Sequence, residues 1–91
     1  MIARRVVVEG RVQGVGFRAW VAGAARATGL NGFVRNRTDG SVECVFYGDE
    51  ATVNEMVEAC RHGPRHAVVT KMTSDACTAE PWTGFEVRPT A

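Results

Sequence analysis

"NGFVRNRTDGSVECVFYG", residues 31–48, reads as two strands joined by a tight turn. Thr38-Asp39-Gly40 is the turn, since Asp and Gly tolerate the positive φ that short hairpins require. Beyond it Val42, Cys44 and Phe46 alternate with Glu43, Val45 and Tyr47. A period of two sends these sets to opposite faces, and the wholly apolar one must pack on a second layer. This hairpin decides the fold because of what precedes it. Gly14-Val15-Gly16-Phe17-Arg18-Ala19 spells G-x-G-x-x-A between a strand and a helix, the pattern of a dinucleotide-binding unit. That unit needs a parallel strand with an acidic end, followed by further β-α units. Here the strand after the helix turns straight back, and 91 residues are too few for the complete sheet.

Working outward, "RRVVVEG" (residues 4–10) is a β-branched run closed by glycine, hence a strand. Phe17, Trp20, Val21, Ala24, Ala25 and Thr28 recur at steps of three and four, one face of a helix. Gly29 supplies a left-handed cap, and Leu30 the hydrophobic contact that accompanies it. After the hairpin Asp49 is placed to cap a second helix, with Glu50 in its first turn. Val53, Met56, Val57 and Cys60 form its core stripe, Arg61 and His62 fall in its last turn, and Gly63-Pro64 stops it. "HAVVTKMTS" (66–74) is a fourth strand, "DACTAEPW" (75–82) a loop, and "TGFEVRP" (83–89) a short fifth strand.

Two helices cover only one face of such a sheet. With right-handed crossovers the order gives a ferredoxin-like β-α-β-β-α-β fold. The expected architecture is a two-layer α/β (α+β) sandwich with an antiparallel sheet and a short C-terminal strand, residues 1–91 forming a single domain.

Composition excludes several classes. The net charge is +1, without the basic excess that marks nucleic-acid binding. Phe33, Phe46 and Tyr47 are too few aromatics for an RNA-binding sheet. No apolar stretch approaches the roughly 20 residues of a membrane span, and the N-terminal run is too short for a signal peptide. Cys44, Cys60 and Cys77 are odd in number and include no C-x-x-C pair, which points to a reduced, cytoplasmic protein. Cys44 and Cys60 read as small core residues. Cys60, His62, His66 and Cys77 fit no common zinc spacing, so no metal and no cofactor are expected. His62 and His66 read as a helix-end residue and a strand-surface residue. A monomer is expected.

The glycine-rich segment Gly10–Trp20 is the candidate site. Gly14 and Gly16 allow a loop whose N–H groups face one concavity, and such nests at a helix N-terminus bind anions. Arg18 falls in the first helical turn, where a cation is unfavourable. It makes sense with an anion between it and the loop, because a guanidinium grips two phosphate oxygens at once. A plain glycine turn with a solvated arginine is the alternative.

"VEGRVQGVGFRAWV" (8–21), "GLNGFVRNRTDGSVE" (29–43), "GP" (63–64) and "GFEVR" (84–88), in that order and spacing, resemble the acylphosphatase family over about Val6 to Arg88. The resemblance implies the same sandwich and hydrolysis of acyl phosphates to a carboxylate and inorganic phosphate, without metal or covalent intermediate. It makes Arg18 the phosphate-binding arginine and Asn36 the water-orienting residue. The cradle is then Arg11, Val12, Gln13, Gly14, Val15, Gly16 and Phe17, and the partner a small-molecule acyl phosphate. Arg65 and Arg37 depart mildly from the family pattern. The chemistry fits the residues present: a departing carboxylate is stable unprotonated near neutrality, since carboxyl pKa values lie around 4, so no general acid is required. Related domains also occur in larger carbamoyltransferases that handle carbamoyl phosphate, and a non-catalytic binding module is the third reading.

Overall fold

A computed structural model describes residues 1–91. The elements are β1 (Ile2–Arg11), α1 (Phe17–Ala27), β2 (Asn31–Asn36), β3 (Val42–Gly48), α2 (Glu50–Cys60), β4 (Val68–Ala76) and β5 (Phe85–Val87). They form one five-stranded sheet in the order β4-β1-β3-β2-β5. β1 and β2 flank β3 and both pair antiparallel with it, so they run in the same direction. β4 is antiparallel to β1.

The sheet is mixed, not wholly antiparallel as expected, because β5 pairs parallel to β2. β4 and β5 occupy opposite edges, so the chain between them crosses the breadth of the sheet. A tight hairpin would have forced an antiparallel neighbour, whereas a long crossing leaves the direction free.

Both helices pack on one face. Val6, Val8, Val34, Val42, Cys44 and Phe46 from the sheet meet Phe17, Val21 and Ala25 of α1 and Val53, Met56, Val57 and Cys60 of α2. These are the apolar sets the two periodicities marked out, each large side chain contributing about 1.5–3 kcal/mol on burial. The Leu30 N–H closes α1 onto the Ala25 carbonyl at 2.9 Å around Gly29, with Leu30 buried behind it. Asp49 caps α2, its carboxylate accepting from the Thr52 N–H at 3.3 Å. α2 ends at Cys60, so Arg61 caps it and His62 lies beyond rather than in the last turn. Cys44 and Cys60 are both fully buried. The Cys60 thiol and burial push the Cys44 thiol well above its ordinary pKa, so both act as apolar packing.

The opposite face carries an ion cluster that the sequence pattern does not announce. Glu43 is the second residue of β3, with its side chain only 5% exposed. Its carboxylate accepts from Arg5 Nε at 2.5 Å and Arg35 Nε at 2.6 Å, and Arg37 Nη1 stands 3.8 Å away. Burial alone would raise the Glu43 pKa. The hydrogen bonds from Arg35 and Arg5 outweigh it and hold the carboxyl below its usual range. Beside this cluster the Arg88 guanidinium lies 4.0 Å from the centre of the Phe33 ring.

Candidate active site

Because β1 and β2 run parallel to each other on either side of the antiparallel β3, their carboxyl ends open on the same edge of the sheet. The connection from β1 to α1 and the hairpin after β2 therefore meet there. The connection bends at Gly14 and Gly16, with φ of +73° and +78°. A Cβ at either position would meet nothing within 4 Å. Glycine is thus required by the backbone conformation, which costs other residues roughly 1–2 kcal/mol, and not by lack of room.

Gly16 is the N-cap of α1, so no side chain caps the helix, and its first turn holds no acidic residue. The first main-chain bond of the helix runs from the Trp20 N–H to the Gly16 carbonyl at 3.0 Å. The N–H groups from Gln13 to Ala19 find no acceptor within the protein. Such a run at the positive end of a helix has the donors and the dipole that suit an anion. Arg18 lies within it, half-buried. Arg4, Arg5, Arg26, Arg35, Arg61 and Arg88 are engaged by protein acceptors, whereas Arg18, like Arg11 and Arg65, is not.

Asn36 is the last residue of β2, opposite Val42 and on the helix-bearing side with Val34. The turn that follows is cross-tied by hydrogen bonds. The Arg37 N–H bonds the Ser41 carbonyl at 2.9 Å, and Asp39 Oδ1 accepts from the Ser41 N–H at 2.9 Å and the Ser41 hydroxyl at 2.6 Å. Those two bonds hold the Asp39 carboxyl below its ordinary pKa.

A cleft of about 310 Å³ separates the two segments. Val12, Gln13, Gly14, Gly16, Phe17, Arg18 and Ala19 line one side, and Asn36 and Val87 the other. Of the residues expected from sequence, Arg11 and Val15 lie outside the lining. Arg11 ends β1 opposite Val68, and Val15 packs against the core.

Two contributions were not foreseen. Val87 enters from β5, whose parallel placement the local pattern does not encode. Gln13 does more than form part of the loop: its Nε2 donates to the Arg37 carbonyl at 2.8 Å and the Ser41 carbonyl at 2.9 Å. It thereby bolts the loop to the hairpin that carries Asn36. His62 and His66 are exposed beyond α2. No three His, Cys, Asp or Glu side chains come together in the chain, and no helix is long and apolar enough to cross a membrane.

The acylphosphatase family model matches residues 4–87. An acylphosphatase of Azorhizobium caulinodans is 51% identical over 86 residues, covering 93% of this chain and 92% of its own. The crystal structure of acylphosphatase from Bacillus subtilis is similar with a TM-score of 0.92 at 37% identity, over 97% of this chain and 99% of that one. The fold also recurs inside a longer chain: full-length HypF gives a TM-score of 0.89 at 23% identity, over 98% of this chain and 12% of that one, a likeness of fold alone. The chain belongs to the acylphosphatase family, enzymes that hydrolyse acyl phosphates.

Proposed function

We propose that this chain cleaves the carboxyl–phosphate bond by direct attack of water, with Arg18 and Asn36 in separate roles. The observation that carries the reading is the run of unclaimed N–H donors from Gln13 to Ala19, with Arg18 among them, in a segment that lines the same cleft as Asn36. The donors and the guanidinium hold the three equatorial oxygens of the transferring phosphoryl group and stabilise their charge. Phosphoryl transfer asks little more of a protein than positioning and such stabilisation.

The Asn36 carboxamide accepts a hydrogen bond from a water and aims it in line with the scissile bond. A bond forms from the water oxygen to phosphorus as the bond from phosphorus to the acyl oxygen breaks. The electron pair departs with the carboxylate, and the water's proton passes to a phosphate oxygen of the substrate itself. The leaving carboxylate needs no proton near neutral pH, so the scheme calls for no general acid in the cleft. An alkyl phosphate would expel an alkoxide, which does need one.

The test is hydrolysis of acetyl phosphate with a metal chelator present and an alkyl phosphate as control. Turnover of the first alone is expected, unchanged by the chelator. Arg18→Ala should lower the rate by on the order of 10²-fold, and retention of more than a tenth of wild-type activity refutes the role. Asn36→Ala should lower kcat far more than it weakens inhibition by inorganic phosphate. Equal losses in both would contradict water positioning.

A further inference from the structure

The chain does not leave the sheet after β5. The Arg88 N–H donates to the Val34 carbonyl at 2.9 Å, continuing the parallel pairing. The Ala91 N–H then donates to the Asn36 carbonyl at 3.1 Å, and the Ala91 carbonyl accepts from the Thr38 N–H at 3.0 Å. Between these rungs β2 advances from Val34 to Asn36 while the tail advances from Arg88 to Ala91. The tail thus holds one residue more, a bulge, and Pro89 within it has no N–H to offer. Ala91 therefore grips the main chain on both sides of Arg37. β3 holds the same segment from the other side, through the Asn36–Val42 pairing and the Arg37 N–H bond to Ser41.

We propose that the segment Arg88–Ala91 is a positioning strap for the reaction: by fixing the Asn36 carbonyl and the Thr38 N–H it sets where the Asn36 carboxamide stands over the cleft. The proposal rests on the reading of Asn36 as the water-orienting residue. Attack in line is steep in geometry, and a misplacement of about 1 Å costs up to about 10²-fold in rate. Anion binding is less demanding, and its donors lie on a different segment, Gln13–Ala19, which leads into α1 and is tied to the hairpin at the Arg37 and Ser41 carbonyls rather than to the tail. Loosening the strap should lower turnover and leave the affinity for phosphate nearly intact. A merely structural tail would lower both together.

The test compares the full chain with a chain ending at Pro89, with Ala91→Pro, which removes the N–H and fixes φ at that residue, and with Ala91→Gly, which keeps the N–H. Each is assayed for kcat and KM on acetyl phosphate, for competitive inhibition by inorganic phosphate, and for Tm. The shortened chain and Ala91→Pro should lose on the order of 10-fold in kcat, with the phosphate inhibition constant within two-fold of the full chain. Ala91→Gly should regain most of what Ala91→Pro loses. Shortening the chain in an Asn36→Ala background should change kcat no further, since the strap acts through that residue. A kcat within two-fold of the full chain overturns the proposal, as does a parallel loss of kcat and phosphate binding. If Asn36→Ala itself keeps its turnover, the water-orienting reading falls and the strap with it. If Asn36→Ala is impaired and the shortened chain is not, the strap alone is wrong.

Discussion

Glu43→Gln tests whether the cluster beneath the hairpin is a working part of the sheet. The substitution keeps the size of the side chain and removes its charge. The amide keeps a single oxygen, so one of the two hydrogen bonds from Arg5 and Arg35 is lost and the other no longer meets a charged carboxylate; each such bond is worth about 1.5–3 kcal/mol where the groups are dry. The arginines are not dry: their side chains are 36% and 31% exposed, so both regain water once freed. Screening lowers the cost further, and a net loss of about 2 kcal/mol is expected. In a domain of this size each kcal/mol moves Tm by about 4–8 °C, so Tm should fall by roughly 8–16 °C. The pH dependence gives the sharper reading. Although burial favours the neutral acid, the Arg35 and Arg5 bonds prevail and hold the carboxyl below its ordinary value of 4.5. A carboxylate lowered in this way stabilises the fold fully above its unfolded pKa and loses that contribution as pH falls through the folded one. The gap between wild type and Glu43→Gln should therefore be widest at neutral pH and narrow from about pH 5 downward. Urea unfolding at pH 7 and at pH 3, followed by circular dichroism, measures it. A gap equal at both pH values, or an unchanged Tm at pH 7, refutes the assignment.

Gly16→Ala adds a methyl group into open space at φ +78°. It should cost roughly 1–2 kcal/mol of backbone strain and weaken inhibition by phosphate, read from thermal unfolding and inhibition kinetics on one sample. Gln13→Ala removes both side-chain ties between loop and hairpin. It should destabilise by about 1–2 kcal/mol and lower kcat in a folded protein, whereas unaltered kinetics would show that the tie does not matter to the site.

The layers were legible because they follow local periods. Val42, Cys44 and Phe46 announce a buried face at a spacing of two, and Val53, Met56, Val57 and Cys60 a buried stripe at the helical spacing. The oddity of Arg18 was legible too, as a cation placed where a helix repels it. Glu43 was not. Its alternation assigns it to the open face and its charge assigns it to solvent. The Arg5 that helps bury it lies 38 residues away. The direction of β5 was hidden because a three-residue strand carries no mark of parallel or antiparallel pairing, and only the path of the chain before it decides. Gln13 was hidden because an amide in a glycine loop looks solvated until its two carbonyl partners, supplied by the distant hairpin, are in place.

Three contacts share a destination. Gln13 from the loop, Val42 from β3 and Ala91 from the tail all fasten the few residues around Asn36. Arg18, by contrast, is fastened to nothing in the protein. The division follows from the roles proposed for the two groups. A guanidinium that binds a charged oxygen gains its partner from the substrate and aligns as the bond forms. A carboxamide that aims a neutral water has only weak interactions to guide it, so its direction must be set before substrate arrives, by bonds formed on folding. The sheet supplies this asymmetry at no extra length. Two parallel strands bring both segments to one edge, where the first ends in a glycine loop with spare donors and the second in a turn that its neighbours on both sides hold still.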